Sequence, residues 1–408
     1  MSIPELPVSS SRRADLDWLR VLAFALLIAY HAGMAWSGWT WHLEADTSLA
    51  PLREAMRFVN RWRMPLLFLV SGGAIMLALG RRSGRAFARD RLRRLGIPLL
   101  FGMAVVVPPQ VYLERRFRGQ VTDGFLDWLP HAFDGGAYPA GNLSWHHLWF
   151  LAYVLVLTFV LLPVFLWARG ARGRAVLRTA EDVAARRGLH WLAVLPVAAS
   201  ILWLAPLSRN VNGLVGDWHG LVQGGVLLLF GAFLYGAPAL LAAVERQRFL
   251  SLGLGIAAYA ALWLFFFHGE VRPAIAAEAR PAFALLSAVN MVAWLLAIVG
   301  FAHRHLAARP AFLAPATEAV YPFYILHQTV TVIVVYWLLR GGIAPWPGFG
   351  LAVVGTFAGT AAIYLGFVRP VPFARALFGL KIAYSSSARP SPDSNRRSNT
   401  MPNFSSER

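Results

Sequence analysis

Cysteine is absent from the 408-residue chain, and lysine occurs once, at Lys381. Without cysteine, disulfides, thiolate metal sites and a cysteine nucleophile are excluded. Charge is also scarce: 14% of the residues are charged and 57% are hydrophobic. A soluble domain of this length could not bury so much apolar side chain, so the composition predicts an integral membrane protein.

The formal net charge of +18 would suggest a nucleic-acid partner if the chain were soluble. In a membrane protein the same excess is expected in the cytoplasmic loops. The chain contains no Gly-rich phosphate loop and no nucleic-acid-binding motif. We therefore expect membrane lipid, and no nucleic acid, among its partners.

Apolar windows long enough to cross a bilayer recur along the chain, each close to the roughly 20 residues that a spanning helix needs. They predict an all-α fold, a polytopic bundle of about ten transmembrane helices. The windows are 18–36, 64–79, 95–111, 148–167, 191–207, 221–241, 249–267, 281–301, 320–339 and 349–368. The first lacks a small-residue cleavage site, which favours a retained signal anchor.

Arginine is concentrated in alternate loops, most densely between the second and third windows. That cluster is Arg81, Arg82, Arg85, Arg89, Arg91, Arg93 and Arg94. By the positive-inside rule this loop is cytoplasmic, and an even number of spans then places both termini in the cytoplasm. We expect a cytoplasmic segment at 1–16, a membrane domain at 17–370 and a disordered cytoplasmic tail at 371–408, which is rich in Ser, Pro and Asn.

None of the ten windows contains Asp or Glu. Intramembrane carboxylates usually form the relays of proton-driven or sodium-driven transporters, so their absence counts against that function. The polar side chains that do enter the membrane are therefore the candidates for chemistry.

The first window carries the clearest candidates, Arg20 and His31. Eleven residues are about three helical turns, so both side chains share one face about 16 Å apart along the axis. Asp17 precedes Arg20 by three residues, near the same stripe. Snorkelling to the interface is the alternative for Arg20, but a deep histidine is costly unless it lines a cavity or has a partner, so His31 is the candidate catalytic residue.

Arg91 and Arg94 form an RxxR motif before the third window. At helical spacing they face the same way, and guanidinium groups bind phosphate oxygens well. A topology signal is the alternative for this pair.

The remaining candidates are Arg63 and Ser71 of the second window region, His147 at the start of the fourth and His327 in the ninth. Small residues beside Ser71 can instead serve close helix packing, and His327 can be a structural histidine. The neighbouring His146 and His147 point about 100° apart, so we expect no metal site there.

Together these elements resemble the integral-membrane acyltransferase family 3. The resemblance rests on Arg20 with His31, the FLVSG element at Ser71, the RxxR motif before Pro98, HLWFL from His147 and YPFYILHQ from Tyr321. It covers roughly residues 12–370. Within the family the chain looks most like the branch that succinylates osmoregulated periplasmic glucans.

The resemblance implies a multi-pass O-acyltransferase of the bacterial inner membrane. Its donor would be a cytosolic acyl-CoA, acetyl-CoA or succinyl-CoA, and its acceptor a hydroxyl of an exported glycan or glycolipid. Arg91 and Arg94 would hold the donor's phosphates, Arg20 would guide the donor, and His31 would act as general base or be transiently acylated. A polar-solute transporter or flippase is the alternative function, and the oligomeric state is left open.

Overall fold

The computed structural model describes residues 13–80, 82–268 and 275–381. Within these residues, ten helical segments are long and apolar enough to cross a membrane. They are α1 (Ala14–Trp36), α2 (Ala50–Leu79), α3 (Gly84–Phe117), α4 (His146–Ala168), α5 (Leu189–Leu207), α6 (Trp218–Gly236), α7 (Arg248–Phe267), α8 (Ala277–His305), α9 (Leu313–Arg340) and α10 (Pro345–Val368). The predicted all-α bundle of ten spans is confirmed.

Helix α1 packs against four other spans, α2, α8, α9 and α10. Other extensive packing joins α2 to α6, α7 to α8 and α9 to α10. Because α1 and α9 are neighbours, the two helices that carry His31 and His327 face one another.

The second span begins earlier than its apolar window. Residues Ala50–Asn60 form an amphipathic helix that buries Leu52 and Met56, and the chain then continues into the helix Arg63–Leu79. Arginines on the polar face of this amphipathic helix lower its mean hydropathy, so the apolar window does not include it.

The third span also begins earlier than its apolar window. Arg91 and Arg94, which precede the window in the sequence, therefore lie within the helix. It starts at Gly84 and includes two wide, π-helical turns, Leu92–Gly96 and Gly102–Val106. Each wide turn lies just before a proline, which cannot donate the helical hydrogen bond to the residue four positions earlier. The two arginines thus project from a helix.

Close packing of α2 on α6 depends on glycine. A Cβ atom added at Gly72 would overlap the carbonyl of Leu228, and one added at Gly231 would overlap the carbonyl of Leu69. The interpretation of the small residues beside Ser71 as a packing device is therefore supported by the geometry.

Beyond α10, residues Pro372–Leu377 form a short helix. Phe378 then packs edge-to-face on Phe101 of α3, with ring centroids 5.4 Å apart. These residues belong to the segment that we expected to be a disordered tail, and residues 382–408 of that tail lie outside the described residues.

Candidate active site

Two cavities enter the bundle, and Tyr324 of α9 lines both. The first, the His31 cavity, has a volume of about 630 Å³ and is lined by His31, Arg63 and His147 among others. The second, the arginine cavity, measures about 910 Å³ and is lined by six basic side chains, Arg20, Arg91, Arg94, Arg369, Arg375 and Lys381. The candidate residues are thus divided between two chambers.

His31, which lines the first cavity, pairs with a second histidine, His327. His31 Nδ1 lies 2.8 Å from His327 Nε2, and His327 Nδ1 lies 2.7 Å from the carbonyl oxygen of Tyr324. A carbonyl only accepts, so His327 Nδ1 carries the proton and its Nε2 accepts from His31 Nδ1–H. This leaves the lone pair on His31 Nε2 for the cavity that His31 lines, which is the arrangement a general base requires.

His147 lies next to this pair, with its ring centroid 5.2 Å from that of His327. Its Nε2–H donates to the carbonyl of Ile325 at 2.9 Å, and the Tyr324 hydroxyl donates to the His147 carbonyl at 2.5 Å. These two bonds fix the start of α4 against α9. His147 Nδ1 is buried and has no hydrogen-bond partner among the described residues.

Arg63 places a buried guanidinium in the same cavity. The residue is 7% exposed, and its Cζ atom lies 3.5 Å from the centroid of the Tyr30 ring. Its Nη2 reaches Asn60 at 3.4 Å, while Nε and Nη1 have no hydrogen-bond partner among the described residues. An arginine held in this way can stabilise negative charge that develops beside His31.

The arginine cavity gathers Arg20, Ser71, Arg91 and Arg94 from three helices. Arg20 pairs with the buried Asp17 at 3.4 Å, so Asp17 positions the arginine. Arg94 pairs with Asp90 at 2.8 Å, and the Arg91 Cζ atom lies 4.8 Å from the Phe87 ring centroid. The RxxR motif and the α1 arginine are thus brought to one cavity.

An aromatic contact lies at the junction of the two cavities. Phe24 of α1 lines the arginine cavity and meets Tyr324 edge-to-face, with ring centroids 5.4 Å apart. Arg20 and His31 therefore line different cavities although they were expected to share one stripe of α1. Tyr324 therefore stands between the two chambers, since it belongs to both linings.

Comparison with known proteins gives the same assignment as the motifs. The family model described as an acyltransferase domain matches residues 13–365. The chain belongs to this acyltransferase family. The match covers all ten spans except the last three residues of α10 and confirms the resemblance drawn from the motifs.

Curated relatives of this chain are called glucans biosynthesis protein C. The protein of Salmonella agona (strain SL483) is 27% identical over 186 residues, which are 45% of this chain and 46% of the relative. That of Salmonella enteritidis PT4 is 27% identical over 164 residues, or 39% of this chain and 41% of the relative. The alignments thus cover less than half of these relatives. No solved structure matches the chain.

The chain also contains a buried carboxylate, Glu114, that lies outside the apolar windows of the sequence. It is 2% exposed and accepts hydrogen bonds from His42 Nδ1 at 2.5 Å and from the Tyr138 hydroxyl at 2.7 Å. Arg118 lies 2.9 Å from the same carboxylate. Burial and the contact with Glu114 raise the pKa of Tyr138 to about 12. Glu114 follows the third apolar window by only three residues, and its hydrogen-bond donors His42 and Tyr138 are distant in sequence, so hydropathy gave no signal for this cluster.

His42, Glu114 and His146 offer donor atoms within 4.8 Å of one another, a spacing that could hold a metal ion. Both nitrogens of His42 are already engaged, because Nδ1 donates to Glu114 and Nε2 accepts from Gln328 at 3.0 Å. A cation would have to displace these bonds next to the charge of Arg118. The donor set thus fits a hydrogen-bonded clamp better than a metal centre, and the absence of a metal cofactor stays a prediction.

Asp217 lines the His31 cavity at the start of α6. It is a second carboxylate that lies outside the apolar windows. It accepts hydrogen bonds from the Tyr153 hydroxyl at 2.7 Å and from the N–H groups of Asn212 and Gly220. Burial acts to raise the pKa of Asp217, but these hydrogen bonds lower it overall. The carboxylate thereby fixes the loop before α6 as one wall of the cavity.

Proposed function

We propose that this protein is a membrane O-acyltransferase that moves an acetyl or succinyl group from cytosolic acyl-CoA to a hydroxyl of an exported carbohydrate or glycolipid. The observation that carries the proposal is the His31–His327 pair, in which His31 lines one cavity and the neighbouring Tyr324 lines both that cavity and the chamber lined by arginine. One bundle then contains both a catalytic base, His31, and a site for a polyanion, the arginine cavity.

The arginine cavity is the donor site in this proposal, and it faces the cytoplasm. The arginine-rich start of α3 supports this orientation, by the positive-inside rule. Arg91 and Arg94 bind phosphate oxygens of the donor, and Arg20, held by Asp17, guides the pantetheine arm toward the bundle centre. The thioester passes Tyr324 and reaches His31, about 16 Å beyond Arg20 along α1.

His31 acts as the general base. Its Nε2 takes the proton from the acceptor hydroxyl while the oxygen attacks the thioester carbonyl, and Arg63 stabilises the negative charge on the carbonyl oxygen. The C–S bond then breaks, and the thiolate of coenzyme A receives the proton from His31. His327 keeps the His31 ring in the productive tautomer throughout.

The His31 cavity is the acceptor site. Aromatic rings of Tyr30, Trp41 and Trp149 and polar groups of Asn212 and Gln223 line it, a mixture that suits a sugar with apolar faces and hydroxyl edges. The name glucans biosynthesis protein C of the relatives supports a glucan-like acceptor.

The test uses protein purified in detergent and radiolabelled acetyl-CoA or succinyl-CoA, with a glycan extract from a deletion strain as acceptor. Label transfer to the glycan, with one free thiol released for each acyl group, supports the enzyme. Solute flux in proteoliposomes without thioester consumption would instead support the transporter.

The two roles proposed for His31, general base and transiently acylated residue, predict different amounts of thiol release in the absence of acceptor. Direct transfer by a general base predicts no thiol release without acceptor beyond slow hydrolysis. A stoichiometric burst of thiol without acceptor would show that His31 is transiently acylated. EDTA treatment should leave the transfer rate unchanged, and a loss restored by Zn²⁺ would overturn the metal-free mechanism.

A further inference from the structure

Three of the six basic residues of the arginine cavity come from the segment that follows α10. They are Arg369, Arg375 and Lys381, the last being the chain's single lysine. The sequence pattern placed this segment at the edge of a disordered tail, yet it closes one side of the cavity. Its contacts decide whether it is part of the site or only lies near it.

The segment is attached to the helix that carries the RxxR motif. Gly379 has a positive φ of +69°, and an added Cβ there would lie 2.6 Å from both the Arg94 carbonyl and the Tyr321 ring. Phe378 packs on Phe101 one residue earlier. The backbone thus approaches α3 at Arg94, and a larger residue at Gly379 would push it away.

Arg375 connects the segment to α9 and to its own end. Its Nη1 lies 3.1 Å from Glu318, and its Nε–H donates to the carbonyl of Lys381 at 2.9 Å. These bonds place Lys381 at the wall of the cavity. Arg375 therefore positions the segment, whereas Arg369 and Lys381 are the residues that can meet a ligand.

The charge of the cavity identifies the ligand class. Six cations and one carboxylate, Glu318, line it. Three of these cations already pair with carboxylates, Arg20 with Asp17, Arg94 with Asp90 and Arg375 with Glu318. The other three, Arg91, Arg369 and Lys381, carry more positive charge than one carboxylate of a donor would balance, whereas the several phosphates of a nucleotide such as coenzyme A would match them.

We propose that residues 369–381 form a wall of the donor site and that Arg369 and Lys381 bind phosphates of a nucleotide-bearing acyl donor. This inference rests on the proposed function, since it extends the donor site from the RxxR motif to a second segment. Anionic lipid headgroups share the phosphate chemistry, and the experiment separates the two sources.

The experiment measures binding of coenzyme A and of pantetheine, which lacks all the phosphates, to the full-length protein in nanodiscs of zwitterionic lipid. The Arg369→Gln/Lys381→Gln double variant should bind coenzyme A at least about tenfold more weakly and pantetheine with unchanged affinity. Arg178→Gln is the matched control, because Arg178 is exposed on the helix Ala171–Arg187, away from the cavity lining.

Each other outcome has its own meaning. Equal loss for both ligands would show a structural role and overturn the inference, as would unchanged binding of coenzyme A. If the double variant binds coenzyme A normally but loses anionic lipid in native mass spectrometry, the ligand is a headgroup. Weak binding in Arg91→Gln/Arg94→Gln with normal binding in the C-terminal variant would refute this inference alone. No coenzyme A binding by the wild type would refute the proposed function as well.

Discussion

At the scale of single residues, our proposal assigns the chemistry to a pair of histidines and not to one. The sequence indicated His31 because imidazole is costly in a bilayer, and it left His327 open between a structural and a functional role. The structure joins the two rings by a 2.8 Å hydrogen bond. His327 is therefore a positioning residue in our account.

His327→Ala should lower the rate of acyl transfer roughly 10²-fold, since His31 Nδ1–H loses its acceptor and the ring can take the wrong tautomer. His327→Gln keeps an acceptor oxygen and should lose less. The rate of thiol release with saturating donor and acceptor measures both. His190→Ala is the control, because His190 is also buried and bonds Gln247 at 3.1 Å, outside the His31 cavity. Equal rates for His327→Ala and His190→Ala would remove His327 from the mechanism.

At the scale of elements, helix packing brings distant residues to the two cavities. The α2–α6 contact lets α2 carry Arg63 to the His31 cavity and Ser71 to the arginine cavity. This contact depends on Gly72 and Gly231, where no side chain fits between the backbones.

Gly72→Ala should destabilise the protein by roughly 1–3 kcal/mol, because its methyl group would overlap the Leu228 carbonyl and force the helices apart. The melting temperature in detergent reports this change. Gly350→Ala in α10 is the control, since an added Cβ there has no atom within 4 Å. Similar melting temperatures for the two variants would mean that the α2–α6 contact is not tight.

The ten spans were predictable because a hydrocarbon layer demands long apolar windows, but their ends were not. The amphipathic helix Ala50–Asn60 and the arginine-rich start of α3 are helices that hydropathy cannot separate from loops. His31 and Arg20 were identifiable because polar residues are unusual in an apolar helix. The partnership of His42 with Glu114, 72 residues away, arises only from the tertiary fold.

At the scale of the whole molecule, the account needs the two cavities to open toward different compartments. Their linings already differ in chemistry, aromatic and polar around His31 and cationic around Arg91. From the charge pattern of the loops, we expect the cationic chamber to face the cytoplasm.

Reporter fusions should therefore read as cytoplasmic after Arg85 and Arg174 and as external after Glu44 and Gln120. The physical reason is the retention of arginine-rich loops on the cytoplasmic side during insertion. An alkaline phosphatase signal from the Arg85 fusion would reverse the orientation and place the donor site on the wrong side.

The central claim is that His31 carries the proton in acyl transfer, and the transfer rate of His31→Ala at equal membrane expression tests it most directly. We expect the rate to fall by about 10² to 10⁴-fold, with coenzyme A affinity unchanged because His31 does not line the arginine cavity. His190→Ala should retain the wild-type rate under the same conditions. A His31→Ala rate within a few-fold of wild type would contradict the account.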